Sequence, residues 1–199
     1  MTCYTQVDDF FPLRFLTAQD SEWDTYQPQL LEWIQNYKKE NEEGRQISNR
    51  NGAWQSEDKI YDIESFDPFM QKIWSFTQSA LLDYTNGLHP DEKASEVFYK
   101  GLRLHNMWIN VNPKGSYNTQ HIHGGCLLSG ILWVQVPENS GDLTVANPQE
   151  FQMCYYSECH KTFTPQEGVL AIFPSHVPHG VEVNNNDKER ISIAMNFGF

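Results

Sequence analysis

The sequence predicts a mainly-β α+β protein: a β-roll with two helices packed on one outer face. Three observations predict it. Two segments with helical apolar spacing lie before residue 97. Roughly eight short alternating or apolar runs, punctuated by Gly, Pro and Asn, follow it. No internal repeat and no βαβ alternation interrupts this order. Residues 1–199 read as a single domain, with 1–96 as N-terminal helical support and 97–199 as the β core.

In chain order, DDFFPLRFLTAQD predicts a short strand near Leu13 to Leu16. A helix follows, with Pro28 in its first turn and Leu30, Leu31, Trp33, Ile34 and Tyr37 on one face; Asn41 to Gly44 ends it. Asn51-Gly52 marks a turn. In the second helix Asp67 is the N-cap, Pro68 the first helical residue and Gly87 the stop. Its stripe (Phe69, Ile73, Trp74, Phe76, Thr77, Ala80, Leu81, Tyr84) fits packing against a sheet. LHPDEKASE reads as a surface loop. The strands then read LRLHNMWINVN, TQHIH, LLSGILWVQV, GDLTVANP, KTFTP, GVLAIF, HGVEVN and RISIAMNF.

The chain has 199 residues and a formal net charge of −12, so its surface repels phosphate backbones and general nucleic-acid binding is not expected. Aromatic residues, at 14%, supply large apolar side chains for a core. No apolar run reaches membrane-spanning length, and the N-terminus lacks a basic-then-apolar signal pattern. The expectation is a cytoplasmic protein with reduced thiols. Cys154, Cys159 and His160 lie close together, but their spacing fits no common zinc module and reads as a structural loop.

The chemistry centres on GSYNTQHIHGGCLLSG, residues 115–130. Alternate residues of a strand share a face, so His121 and His123 aim two imidazoles at one point. Imidazole is the commonest protein metal ligand and suits iron, zinc, copper and nickel. FPSHVPHGVEVN offers a third: His179, or less readily His176. Three ligands on one face leave positions open for substrate. His89, His105 and His160 read as ordinary histidines. In RISIAMNF, Arg190 and Ser192 share a face and form a carboxylate clamp; a surface Arg190 paired with Asp187 or Glu189 is the alternative. Asn110 and Asn112 share a strand face with Trp108, where asparagine is disfavoured and hydrogen bonding to a small bound acid gives a reason for it. For Asn112 the turn Asn112-Pro113-Lys114-Gly115 is a competing reason.

These residues resemble the iron(II)- and 2-oxoglutarate-dependent oxygenases: His-x-(Asp/Glu), a long gap, His, then Arg or Lys, then a closing strand. More closely, ISNRNGAWQS, WINVNPKGSYNTQHIH, LLSGILWVQVPENSGDLTVANP, GVLAIFPSHVPHGVEVN and RISIAMNF resemble a bacterial and phage family of such oxygenases, over about residues 47 to 199. The resemblance implies a double-stranded β-helix (jelly roll) with flanking helices, Fe(II) as metal, 2-oxoglutarate as co-substrate, and hydroxylation of a substrate that could be a protein side chain, a nucleotide or a metabolite. It implies His121, His123 and His179 as ligands and Arg190 and Ser192 as holders of the far carboxylate. Asn110, Asn112 and Trp133 would line the same pocket. One departure stands out: His123 occupies a position where the superfamily usually has a carboxylate. Asp142 is a distant candidate replacement.

Two other readings stay open. Gly115, five residues, then His121-x-His123 also opens a cupin motif, and a cupin-type dioxygenase or isomerase uses three histidines; but the following Glu is missing and His176 replaces a Gly of its second motif. A metal-stabilised, non-catalytic β-roll module is the third.

Overall fold

The structure is a computed structural model and describes residues 13–148 and 159–199. The elements in chain order are β1 (Leu16–Gln19), α1 (Trp23–Glu40), β2 (Asn49–Arg50), β3 (Trp54–Gln55), α2 (Asp67–Thr85), α3 (Glu92–Gly101), β4 (Arg103–Asn112), β5 (Tyr117–His121) and β6 (Leu128–Gln135). They continue with β7 (Leu143–Ala146), β8 (His160–Phe163), β9 (Val169–Pro174), β10 (His179–Val181) and β11 (Arg190–Gly198). One sheet has six strands in the order β1-β9-β6-β11-β4-β3, the other five in the order β2-β5-β10-β7-β8. Every paired strand runs antiparallel to its neighbour. This is the jelly-roll arrangement. Each of the eight runs read as strands forms one, and the N-terminal half adds β1 and β3 to one sheet and β2 to the other.

Alternation explains how the six-stranded sheet divides its faces. On β11, Ile191, Ile193, Met195 and Phe197 are fully buried; on β4, Met107, Ile109 and Val111 match them. All seven join the helix-side core with Leu30 and Ile34 of α1 and Ile73 and Leu81 of α2. The opposite face looks toward the second sheet, over a smaller core that includes Ile131, Trp133, Leu143 and Phe173. Ile109→Ala removes buried methyl groups where β4 meets this helix-side core. It should cost about 2–5 kcal/mol of stability, read as a lower denaturant midpoint with an unchanged slope.

Four expectations are corrected. α1 begins at Trp23, so Pro28 lies inside it rather than in its first turn. Trp23 and Tyr26 are buried, and Asp20 fixes the entry: its carboxylate accepts from the Glu22 amide at 2.9 Å and from the Tyr26 hydroxyl at 2.6 Å. Burial of two aromatic rings offsets the one hydrogen bond that Pro28 cannot donate. Asp67 is the first residue of α2, and two 3₁₀ turns (Ile60–Asp62 and Glu64–Phe66) lead into it, so Phe66 takes the N-cap position. LHPDEKASE is not all loop: Asp91 accepts from the Lys93 amide at 3.0 Å and caps α3, a third helix. The first strand is Leu16–Gln19, just after the expected position, where it pairs with β9. No helix among the described residues is long and apolar enough to cross a membrane.

Candidate metal and co-substrate site

His121 ends β5 and His179 opens β10, and the two face each other across the strand pair. His123 lies beyond β5, not on it, so strand alternation does not place its ring. Its backbone amide is instead tied to the Ser175 carbonyl at 3.0 Å. Its ring also packs edge-on against Trp108, with centroids 5.5 Å apart. The ring centroids of His121 and His179 are 4.6 Å apart, those of His121 and His123 4.8 Å, and those of His123 and His179 5.1 Å. One nitrogen from each lies within 4.8 Å of the others, a group that could hold a metal ion. No other such group of His, Cys, Asp or Glu occurs among the described residues. Asp142 is therefore not a stand-in carboxylate. His176 is exposed and outside the group. Cys154 lies outside the described residues.

Two of the three imidazoles are held by backbone carbonyls. His121 Nδ1 is 2.7 Å from the Thr119 carbonyl, and His179 Nδ1 is 2.9 Å from that of Val177. A carbonyl only accepts, so each Nδ1 carries the hydrogen and each Nε2 keeps its lone pair. Burial pushes the pKa of all three below the ordinary histidine value. His123 falls to about 3, with the neighbouring His179 and His121 adding to burial. His179 falls to about 4, its bond to Val177 only partly opposing burial. The shift of His121 is in the same direction. All three are neutral at pH 7, the protonation state a metal ligand needs.

Arg190 sits on β11 with only 2% of its surface exposed. Both acids beside it in sequence are engaged elsewhere. Glu189 accepts from Lys38 at 2.5 Å and from Gln35 at 2.8 Å, and Asp187 pairs with Lys114 at 2.7 Å. The surface ion pair weighed for Arg190 is therefore not formed. Instead Arg190 Nη1 donates to the carbonyls of Ser140 and Glu182, the latter at 3.0 Å. Nη2 is buried with no partner. Burial lowers the guanidinium pKa to about 10, with the Glu182 charge opposing; the group remains a cation at neutral pH. A buried cation bonded only to carbonyls, with one nitrogen unspent, is costly unless an anion completes it.

Gly141 makes that cradle possible. Its φ is +88°, and a Cβ there would lie 2.6 Å from the Glu182 carbonyl oxygen, one of the two that hold Arg190. Gly141→Ala should destabilise the protein by about 1–3 kcal/mol through backbone strain. It should also weaken anything that binds Arg190. Thermal unfolding and a binding titration would check both halves.

The three histidines and Arg190 line one cavity between the sheets, together with Ser192, Asn110, Asn112 and Trp133. All eight residues expected from the sequence converge there. Ser192 pairs with Asn110 on one side and Trp133 on the other, and Arg190 pairs with Asn112. Asn112 is a buried strand residue, not just a turn: it donates to the Asn118 side chain at 3.1 Å, and its carbonyl accepts from Asn184 at 2.8 Å. The Asn110 side-chain oxygen is buried without a partner. Ser48 and Asn118 also line the cavity and were not expected. Asn118 carries the signal already used for Asn110, an asparagine within a strand; Ser48 carries none.

Residues 106–196 match the family model described as "Putative 2OG-Fe(II) oxygenase". No curated protein matches the chain. Among solved structures, a Pseudomonas putida prolyl-4-hydroxylase is similar at TM-score 0.58 and 16% identity, over 92% of this chain and 91% of that one. A Trichoplax adhaerens prolyl hydroxylase, solved with a hypoxia inducible factor peptide fragment, is similar at TM-score 0.63 and 14% identity, over 92% and 83%. HygX from Streptomyces hygroscopicus, solved with nickel and 2-oxoglutarate, is similar at TM-score 0.55 and 11% identity, over 92% and 82%. At these identities the likeness carries the fold. The stretch that matches this family model contains all three clustered histidines and Arg190.

Proposed function

We propose that His121, His123 and His179 hold the iron(II), and that Arg190 with Ser192 binds the far carboxylate of 2-oxoglutarate. The observation that carries this reading is the buried, unpartnered Nη2 of Arg190 in the same cavity as three neutral imidazoles. The donor set fits the metal, since neutral imidazole suits iron. The orphaned guanidinium nitrogen fits a carboxylate. Asn110 and Asn112 line the cavity between these two ends, and Trp133 walls it. A three-histidine cupin gives Arg190 no task, and a non-catalytic module gives it no anion.

With iron and co-substrate bound, the chemistry supplied is an oxidative decarboxylation: 2-oxoglutarate, O2 and a C–H bond become succinate, CO2 and C–OH. This chain's residues position and exclude. The carbonyls of Thr119 and Val177 hold two imidazoles in the ligating tautomer. The carbonyls of Ser140 and Glu182 aim the guanidinium. Arg190, Asn112 and Trp133, each nearly fully buried, shield the guanidinium end of the cavity from bulk water.

His123 sets the charge. Iron(II) and Arg190 bring three positive charges, and 2-oxoglutarate answers two. A ligating carboxylate would answer the third; neutral His123 leaves it. This should favour the dianionic co-substrate and alter turnover. Succinate release with iron(II), 2-oxoglutarate and O2, but no further substrate, tests the reading. Wild type should exceed the background of a His179→Ala variant, and His123→Asp should exceed wild type. Succinate at background from both wild type and His123→Asp would remove the catalytic reading.

A further inference from the structure

On the side of the histidines away from Arg190 lies a second recess, and it is built from amides. Gln55 of β3, Asn106 of β4 and Asn196 of β11 line it together with His121 and His123. Asn106 and Asn196 stand opposite each other in the β4–β11 pairing. Gln55 is 5% exposed and Asn196 2%. No side-chain hydrogen bond joins Gln55 or Asn106 to another described residue, and the Asn106 oxygen is buried and unpartnered. Asn196 makes one such bond, accepting from the Ser129 hydroxyl at 2.7 Å. The buried, unpartnered Asn106 oxygen is costly unless an occupant supplies a donor, and the amide groups of Gln55 and Asn196 beside it have further donors and acceptors to offer.

Charge narrows the occupant. Arg45 also lines the recess, but Asp58, another lining residue, answers it at 3.1 Å. The side chains of Gln55, Asn106 and Asn196 carry no charge, so the wall they form offers hydrogen bonds alone. Ile47, which also lines the recess, is 56% exposed and gives its rim an apolar side.

We infer that this recess takes a planar, uncharged amide of the substrate to be oxidised, with apolar atoms against Ile47. An amide offers one strong acceptor and one strong donor in a plane, the complement of a facing Asn pair. Its C–H neighbours then lie beside His121 and His123. The inference rests on the proposed site, because only a reactive centre at the histidines makes the recess a substrate pocket. The amide could be a peptide bond or a small carboxamide.

The test is a 15N NMR titration of the side-chain NH2 resonances of Gln55, Asn106 and Asn196, on metal-free protein and on zinc-loaded protein with 2-oxoglutarate. The probes are N-acetylglycine N-methylamide, acetamide, sodium acetate, methylammonium chloride and methyl glucoside. Both amides should shift these resonances saturably, and acetate, methylammonium and the glucoside should not. The dipeptide-like probe binding at least tenfold tighter than acetamide assigns a peptide substrate; equal affinity assigns a small carboxamide. Asn106→Ala and, separately, Gln55→Ala should weaken amide binding at least fivefold with the backbone spectrum retained. No shift with either amide, or an equal shift with acetate or glucoside, would overturn the inference, with or without metal. Failure of zinc and 2-oxoglutarate to bind is read in the same spectra from the histidine and Arg190 signals. It would remove the proposed site, and with it the substrate role of the recess.

Discussion

Arg190→Ala should weaken 2-oxoglutarate binding by about 2–4 kcal/mol, roughly 30- to 1000-fold, the range for truncating one partner of a buried charged hydrogen bond. Metal affinity should not change, because Arg190 contributes nothing to the histidine group. The size of the effect follows from the environment. The guanidinium is almost fully buried and has no acid among its hydrogen-bond partners. Nη2 has no partner at all. An incoming carboxylate would meet a donor that is already desolvated and already aimed by the carbonyls of Ser140 and Glu182. Arg190→Lys should recover only part of the loss. An ammonium restores charge but not the planar fork, and its shorter reach gives up the two carbonyl bonds. Calorimetric titration of zinc-loaded protein with 2-oxoglutarate measures both variants. Wild-type affinity in Arg190→Ala would remove the clamp.

His179→Ala should abolish metal retention, with affinity falling by at least roughly 100-fold, beyond the range for losing an outer partner of a ligand. His179 is the most buried of the three histidines and faces His121 across the β5–β10 pair. Without it two donors remain, on a strand end and the loop after it. The fold should survive, because β10 is held by main-chain bonds to β5 and β7 and not by this ring. Metal content after dialysis, read beside the unfolding midpoint, separates the two effects. Retained metal in a folded His179→Ala protein would exclude His179 from the ligand set.

Much of this was legible in the sequence, for identifiable reasons. Period-two alternation is local, so RISIAMNF displayed both its buried face and its polar face, and the structure places Ile191, Ile193 and Met195 in the core and Arg190 in the cavity. The same alternation reaches back from Asn110 and Asn112 through Trp108 to Asn106, which shares their face of the strand. α3 was obscured because its exposed surface dominates: Val97 is an exposed apolar residue and Ser95 its one buried position. The start of α1 was obscured by Pro28, whose local preference lost to the burial of Trp23 and Tyr26. His123 reached the site by a different route from the one its spacing suggested, through a loop anchored on Ser175. The carbonyls that cradle Arg190 were not legible at all. Main-chain oxygens of residues 140 and 182 have no residue-type signature, and only Gly141 hints that two backbones meet there.

The most direct measurement is an anaerobic titration of the iron(II)-loaded protein with 2-oxoglutarate, followed by the metal-to-ligand charge-transfer absorption. It reports metal and co-substrate together and needs no knowledge of the substrate to be oxidised. Wild type should develop the band saturably, Arg190→Ala only at far higher 2-oxoglutarate, and His179→Ala not at all. No band in wild type, or one that saturates equally in Arg190→Ala, would contradict a site in which three histidines hold the iron and Arg190 holds the co-substrate.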